Sequence, residues 1–370
     1  MFSNEIYEDL KQYSAGSLVE VCDMREVFLG IGYINPQSLI SIRLLTREKE
    51  EIQREFIRKR IFDAVKLRER LSGNKDACRL VYSEGDYLPG LIVDKYANCV
   101  VSQFLTAGME DFKDTIIEIL DELMKPEIMV LRNDSRIRTL EGLPLYKEVI
   151  KGDLLNLPLV NEDGISFEID PYEGQKTGFF LDQSENRTSL KKYVRGGKGL
   201  DLFSYLGAWS MHLASAGAEV IGVDASERAV TQAQRIAEMN GLSERVSFLK
   251  DDVFSFLENN LASNEKKYDF IVLDPPAFVK SSGKIKEALK AYRELNEMSM
   301  KLIKTKGLLA TSSCSYHLSK EMFIDMLHTA ARNSKRSLRL LEMRSQSPDH
   351  PVLLSMPETE YLKCAFLIVD

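Results

Sequence analysis

The sequence has no long uncharged apolar run. No stretch approaches the roughly 18 residues that a membrane-crossing helix needs, which excludes a membrane protein of the helical kind. The opening residues, MFSNEIYEDLKQYSAG, show no basic region followed by an apolar run, so no secretory signal is expected there. Paired cysteines are missing as well. The five, at 22, 78, 99, 314 and 364, have neither the short spacing of a zinc knuckle nor that of a redox pair, and their odd count leaves at least one thiol without a partner in the chain. Reduced thiols in the cytoplasm and no bound metal are the expectation. There is no excess of positive charge: 49 Lys and Arg stand against 56 Asp and Glu, a net of -7, which speaks against the molecule-wide basic field of a nucleic-acid binder. No internal repeat and no low-complexity tract occurs.

What is present is a chain of 370 residues, longer than one average domain, with an ordinary globular composition of 44% hydrophobic and 28% charged residues. Residues 1–46 hold three β-like runs, at 17–22, 27–33 and 38–45, separated by charged or Asn-Pro turns, and read as a small β-barrel. Residues 47–70 carry Ile52, Phe56, Ile57, Ile61, Val65 and Leu67 near a helical period, with many charges between them. Segment 41–70 has ten bases and six acids, and reads as a solvated connecting helix in preference to an RNA-binding one. Residues 71–165 form an α+β segment, with strands expected at 78–82, 90–93, 99–104 and 128–131 and a helix over 109–124. From 166 to 370, strands at 198–203, 219–224, 246–249, 268–273 and 307–312 alternate with helices, and two late runs at 338–343 and 362–369 close the chain. Repeated βα units predict a mostly parallel sheet covered on both faces, an α/β Rossmann-like domain.

Ligands bind such a sheet at the carboxyl ends of its strands. The first strand leads into Asp201-Leu202-Phe203-Ser204-Tyr205-Leu206-Gly207-Ala208, with one turn glycine and an acid in place of the three-glycine pyrophosphate loop. A carboxylate there repels phosphate and suits a cationic amino-acid group. The second strand ends in Asp224-Ala225, placed to accept from ribose hydroxyls, and the third runs into Asp251-Asp252-Val253, where a carboxylate would accept from an adenine amino group. An amine, a ribose and an adenine without phosphate describe S-adenosylmethionine; a dehydrogenase with a degenerate loop is the alternative. The fourth strand ends in Asp274-Pro275-Pro276-Ala277-Phe278, whose prolines stiffen the loop that presents Asp274. The fifth ends in Ser312-Ser313-Cys314-Ser315. A cysteine on a strand tip beside that of Asp274 is a candidate nucleophile, whereas an isolated cysteine is usually a small buried hydrophobe. Cys22, Cys78, Cys99 and Cys364 read as strand-core residues.

Over nearly its whole length the chain resembles the class I methyltransferases, and more closely the bacterial large-subunit rRNA cytosine-C5 methyltransferase family. The most specific stretch is Glu173-Gly-Gln-Lys-Thr-Gly-Phe-Phe-Leu-Asp-Gln-Ser-Glu-Asn-Arg187. The runs Leu88-Pro-Gly-Leu-Ile-Val-Asp94, Asp349-His-Pro-Val352 and Tyr361-Leu-Lys363 resemble the family too, as do the Asp-Pro-Pro loop and Ser-Ser-Cys-Ser. The resemblance implies a PUA-like N-terminal domain, a central α+β domain and a C-terminal methyltransferase domain. It also implies S-adenosyl-L-methionine as cofactor and rRNA as partner. The family usually has a further stretch before a segment like Phe2-Ser3-Asn4-Glu5-Ile6, so either the natural start lies upstream or the barrel lacks its first strand. Ala277 stands where two-cysteine enzymes carry a second cysteine.

On this resemblance Cys314 is the expected nucleophile and Asp274 the group that steadies the base at N3. The base for the C5 proton is unassigned. Phe180, Asp182, Gln183 and Arg187 are expected to cover the methionine end of the cofactor, joining Asp201, Phe203, Gly207, Asp224, Ala225, Asp251, Asp252, Val253 and Asp274. Lys176, Pro275, Pro276, Lys191, Lys192 and Arg195 are candidates for the RNA side. Trp209 reads as packing, and His212, His317 and His328 as structural or solvated. Two acid-free basic windows, 191–200 and 331–340, offer local patches despite the acidic total. A guanine or adenine N-methyltransferase and a non-catalytic RNA-binding assembly factor are the rival functions; a homodimer is left open.

Overall fold

A computed structural model describes residues 1–73, 75–262, 267–278 and 285–370. The chain divides into two compact units. The first comprises Met1–Glu162, Phe167–Leu181 and Pro348–Thr359; the second comprises Asp163–Ser166, Asp182–Ser347 and Glu360–Asp370.

The first unit begins with β1 (Leu18–Cys22), β2 (Phe28–Ile34) and β3 (Ile42–Thr46), an antiparallel meander in the order β1-β2-β3. It is an open sheet; no closed barrel occurs among the described residues. Period-2 alternation along β1 turns Val21 inward and Cys22 to solvent, so Cys22 is not the core residue its strand position suggested. Helix α1 (Arg54–Ser72) follows, then β4 (Ala77–Tyr82), β5 (Leu91–Tyr96), β6 (Cys99–Phe104), α2 (Ala107–Asp111), α3 (Lys113–Met124), β7 (Ile128–Asn133), α4 (Ile137–Leu140) and β8 (Tyr146–Lys151). These strands form a sheet in the order β4-β5-β6-β7-β8. Only β6 and β7 run parallel, and they are the pair joined by a helical crossover. Strands β9 (Leu159–Glu162) and β10 (Ile165–Glu168) make a two-stranded sheet.

Three segments with different sequence signatures share one core here. Tyr33 and Leu45 come from the meander, Phe56, Ile57, Ile61 and Val65 from α1, and Val81, Leu91, Val93 and Val100 from the five-stranded sheet. Helix α1 is therefore not merely a solvated connector. Its charges are also partly spent on structure: Arg68 is 2% exposed and donates to both Asp86 oxygens, to the Arg79 carbonyl (2.8 Å) and to the Asp349 carbonyl (2.8 Å). An unpaired guanidinium at that depth would cost several kcal/mol, so the carboxylate and carbonyls are what permit its burial.

The second unit carries β11 (Lys198–Leu202), β12 (Glu219–Asp224), β13 (Val246–Lys250), β14 (Tyr268–Leu273), β15 (Ile303–Ser313), β16 (Leu338–Arg344) and β17 (Lys363–Val369). Its helices are α5 (Ser184–Leu190), α6 (Ala208–Ser215), α7 (Glu227–Met239), α8 (Val253–Leu261), α9 (Ile285–Leu302) and α10 (Lys320–Ser334). The sheet order is β13-β12-β11-β14-β15-β17-β16, parallel through β15, with β17 antiparallel to both of its neighbours. The central strands are apolar nearly end to end, as Phe270, Ile271, Val272 and Leu273 are in β14, because both of their faces are covered. Successive strands step one way from β11 to β13 and the other way from β14 to β15. Right-handed crossovers therefore put α6 and α7 on one face and α9 and α10 on the other. Leu257, Tyr292, Leu295, Phe323 and Leu327 bury the second face. Strand order reverses between β11 and β14, and that reversal opens the crevice where a doubly wound sheet takes its ligand.

Candidate functional site

Five neighbouring strand tips line the carboxyl edge of this sheet. In spatial order they present Asp251, Asp224, the 201–207 loop, Asp274 and the Ser312–Cys314 run. The loop is set by backbone geometry. Phe203 (φ 66°), Tyr205 (φ 48°) and Gly207 (φ 71°) are all left-handed. Two of the three are not glycine, a local strain that is retained where the fold over-determines it and that clusters at ligand sites. At Gly207 only glycine fits, because a Cβ would stand 2.4 Å from the Phe248 ring. The Val223 carbonyl accepts from the amides of Phe203 and Ser204, and the Asp224 carboxylate accepts from Tyr205 N (2.9 Å) and Ser226 N (2.9 Å). Asp224 thus ties the turn after β11 to the turn after β12, and the exposed Ala225 lies between its two anchors.

Asp201 is fully buried. Its Oδ2 accepts from Ser210 N (3.1 Å) and Ser210 Oγ (2.7 Å) at the start of α6, while its Oδ1 has no hydrogen-bond partner among the described residues. Burial pushes its carboxyl up to about 7. The Ser210 hydrogen bonds pull against that shift, and the nearby Asp274 and Asp224 add to it. An orphaned buried oxygen amid three carboxylates is a poor place for a phosphate and a good one for an ammonium or sulfonium.

Asp274 is clamped. Gln183 Nε2 donates to its Oδ1 (3.0 Å) and also to Ser312 Oγ (3.1 Å), bridging the tips of β14 and β15. Trp209 Nε1 donates to its Oδ2 (3.1 Å). Trp209 opens α6 and is nearly buried, but it does more than pack. Gln183 is itself fixed, its Oε1 accepting from Asn186 (2.6 Å), whose Oδ1 accepts from Arg344 (2.8 Å). Asp182 is buried and accepts from the Tyr361 hydroxyl (2.6 Å). Arg187 is buried on α5. The tip of β15 is held from two sides. Tyr292 of α9 shares a hydrogen bond with Ser315 Oγ (2.9 Å) and packs its ring 4.8 Å from that of Phe278, and Lys363 Nζ donates to the Ser315 carbonyl (2.8 Å). Cys314, between these anchors, is partly exposed, whereas burial pushes the thiols of Cys78, Cys99 and Cys364 up to about 12.

The structure redistributes several expected roles. Asp252 is the N-cap of α8, its carboxylate accepting from Ser255 N (3.0 Å), and Asp251 accepts from Asp252 N (2.8 Å). The Val253 side chain is in the core, so only its backbone is left for a ligand. Phe179 packs on Phe167 as a core residue, and the Lys176 ammonium lies 4.5 Å from the Phe180 ring centroid; all of these belong to the first unit. Pro275 is buried and Pro276 exposed. Of the 191–200 window, Lys192, Arg195 and Lys198 are exposed, but Lys191 pairs with Asp163 (2.6 Å). In the 331–340 window Arg336 ties the carbonyls of Met300, Ile303 and Asp370 and Arg339 grips the Asp370 carboxylate, which leaves Arg332 and Lys335 as its other bases, both exposed. His212 is buried and His317 and His328 are exposed, as expected. Among the described residues no cluster of His, Cys, Asp and Glu has the makings of a metal site, and no helix is long and apolar enough to cross a membrane. The sequence reading missed Trp209 and Lys363 as site residues. Lys363 carried a signal, being a lysine at the head of an otherwise apolar strand.

Residues 143–358 match the family described as S-adenosylmethionine-dependent methyltransferase, and residues 1–47 match the PUA-like domain. A candidate ribosomal RNA large subunit methyltransferase of Methanocaldococcus jannaschii is 37% identical over 365 residues, 98% of this chain and 92% of that one. Ribosomal RNA large subunit methyltransferase I of Shewanella amazonensis is 36% identical over 369 residues, 98% and 93% of the two chains. Among solved structures, a candidate methyltransferase crystallised with SAH superposes with a TM-score of 0.84 at 22% identity, over 96% of this chain and 92% of that one.

Proposed function

Because this chain belongs to the S-adenosylmethionine-dependent methyltransferase family, we propose that it methylates C5 of a cytosine in large-subunit ribosomal RNA, with Cys314 as the nucleophile. One observation carries the reading: a partly exposed cysteine stands on the strand tip next to a clamped Asp274, and Gln183 bridges the two tips. The names of the relatives support rRNA as the substrate. Methylation of an amino or ring nitrogen would leave Cys314 without a task.

The residues at the strand tips suit the cofactor. Asp201 would face its ammonium, Asp224 its ribose, and Asp251 or Asp252 its adenine. Bound there, S-adenosylmethionine supplies an electrophilic methyl group on a sulfonium. Cytosine C5 is a weak nucleophile. Addition of the Cys314 thiolate to C6 forms an S–C6 bond and moves the ring π-electrons so that C5 becomes enamine-like. Asp274 would hold the base edge at N3 while charge develops. Loss of the C5 proton and departure of the thiolate then restore the aromatic ring and the enzyme. Exposed Lys192 and Arg195 would meet backbone phosphates.

The test follows the C5 proton. With rRNA carrying tritium at cytosine C5, one tritium is expected in water for each methyl group incorporated. Methyl incorporation with tritium retained would move the target to a nitrogen and overturn the reading.

The raised Asp201 carboxyl adds a pH signature. Below about 7 the group is neutral and cannot pair with an ammonium. Binding of S-adenosylhomocysteine, which keeps the amino-acid end, is therefore expected to tighten from pH 5 to about 7 and then level off, with proton release in calorimetry. Asp201→Asn should flatten the profile; an unchanged slope in that variant refutes the assignment. The sign for folding is opposite. A carboxyl raised from 3.8 stabilises the ligand-free protein fully only below that value, and the contribution is lost as pH climbs to about 7.

A further inference from the structure

We propose that Lys363 is the positioning residue that holds Cys314 as a thiolate, its ammonium anchored to the backbone on either side of the β15–β17 seam. The inference deepens the role of Cys314 given above and rests on it only for its catalytic meaning.

The placement follows from register. Strands β15 and β17 are antiparallel, with Ser313 opposite Lys363 and Ser312 opposite Cys364. The lysine therefore leaves β17 directly across from the residue before Cys314. Its side chain is not in water: Lys363 is 7% exposed. Nζ donates to the Ser315 carbonyl (2.8 Å), one residue past Cys314, and to the Tyr361 carbonyl (2.8 Å). Two of the three ammonium donors are thus fixed on the backbone next to Cys314, near enough for the Cys314 charge to act on the amine.

Burying an ammonium is costly, and two neutral carbonyls compensate only in part. Burial lowers the Lys363 amine to about 8, and the field that opposes this most strongly comes from Cys314, ahead of Glu360. Coupling between two titrating groups is reciprocal, so a lysine held in its charged form by a thiolate holds that thiolate equally. The step balances as a proton transfer: the Cys314 S–H proton passes to the neutral Lys363 amine, leaving the sulfur electron pair and an ammonium, with no change in total charge.

The other groups around the thiol do not substitute for this one. Tyr292, from α9, is kept protonated by burial and is engaged with Ser315 Oγ. Asp274, at the tip of β14, is held by Gln183 and Trp209 and carries the wrong sign to favour a thiolate. Glu360 also carries a negative charge. Lys363 is the cation that the described contacts place at the β15 tip, and the mechanism above gave it no work.

The experiment measures alkylation by iodoacetamide across pH 5–10 in the full chain, in a Cys22→Ser background that removes the exposed reporter. The three buried cysteines are protected by burial, and a Cys314→Ala control defines their contribution. With Lys363 intact, the midpoint for Cys314 is expected at least one unit below the roughly 8.5 of an ordinary cysteine. In Lys363→Met it should return to that value or above, slowing alkylation at pH 7 about tenfold for each unit. Lys363→Arg should restore a low midpoint. The acidic limb of kcat/KM for methyl transfer should move with the thiol midpoint, whereas a purely structural loss lowers activity equally at every pH. S-adenosylhomocysteine binding checks that each variant is folded. If Lys363→Met does not fold, the unsubstituted lysine still decides: a midpoint at 8.5 or higher overturns the proposal. So does an unshifted midpoint in a folded Lys363→Met. Because alkylation needs no RNA, these outcomes are separate from failure of the cytosine-C5 reading.

Discussion

Cys314→Ala is expected to lose methyl transfer by at least about 10⁴-fold while binding S-adenosylhomocysteine within about twofold of the parent protein. The split follows from position. Cys314 is on the tip of β15, and the groups that suit the cofactor are on β11, β12 and β13, on the far side of Asp274. Removing the sulfur takes away the only step that makes C5 nucleophilic, and removal of a covalent nucleophile commonly costs several orders of magnitude. The side chain is small and partly exposed, so its truncation leaves little cavity. Methyl incorporation into rRNA and calorimetry measure the two halves. Near-parental activity in the variant would sink the covalent route, and a parallel loss of cofactor affinity would show that the substitution had disturbed the pocket instead. Cys314→Ser separates the cases further: it keeps the volume and polarity but offers an alcohol that stays protonated at neutral pH.

Much of this site was legible in the sequence because it depends on local order. Strand tips follow from hydrophobic runs, so β12 and β14 lie where their patterns put them, and Asp201, Asp224, Asp274 and Cys314 come out on one edge as soon as βα units repeat. What could not be read depends on contacts between distant residues. Trp209 looks like packing until a carboxylate 65 positions away accepts its N–H. Lys363 looks like an odd opening to an apolar strand until antiparallel pairing sets it opposite Ser313. Charge counting overcounted for the same reason. Arg336 and Arg339 stand in a window without acids, but their partners are backbone carbonyls and a carboxylate more than 30 residues off. Strand β8 was missed because its residues are half-exposed and alternate poorly. The helix expected over 109–124 breaks at Phe112 into α2 and α3, a local backbone choice that periodicity does not record. The stretch between the Asp274-Pro275-Pro276 loop and α9 includes residues 279–284, which lie outside the described residues.

Asp274→Ala is expected to lower methyl transfer by about 10² to 10⁴-fold, chiefly in kcat, the range typical of a group that stabilises charge or moves a proton in the transition state. Asparagine should be little better. Both carboxylate oxygens face donors, Gln183 Nε2 on one side and Trp209 Nε1 on the other, so either orientation of an amide sets N–H against N–H. The substitution would break the clamp as well as remove the charge. The same geometry makes a sharper claim about Trp209. Trp209→Phe keeps an aromatic ring and deletes one hydrogen bond to a carboxylate, worth about 1.5–3 kcal/mol, so a loss of about ten- to a hundredfold in kcat/KM is expected. If the indole acts through Asp274, then Trp209→Phe added to Asp274→Ala should cost almost nothing more, since the donor has lost its acceptor. If the indole matters only as packing at the start of α6, the two losses should multiply. The double-mutant cycle therefore distinguishes a tryptophan that positions a carboxylate from one that merely fills space, and a multiplicative result would return Trp209 to the core.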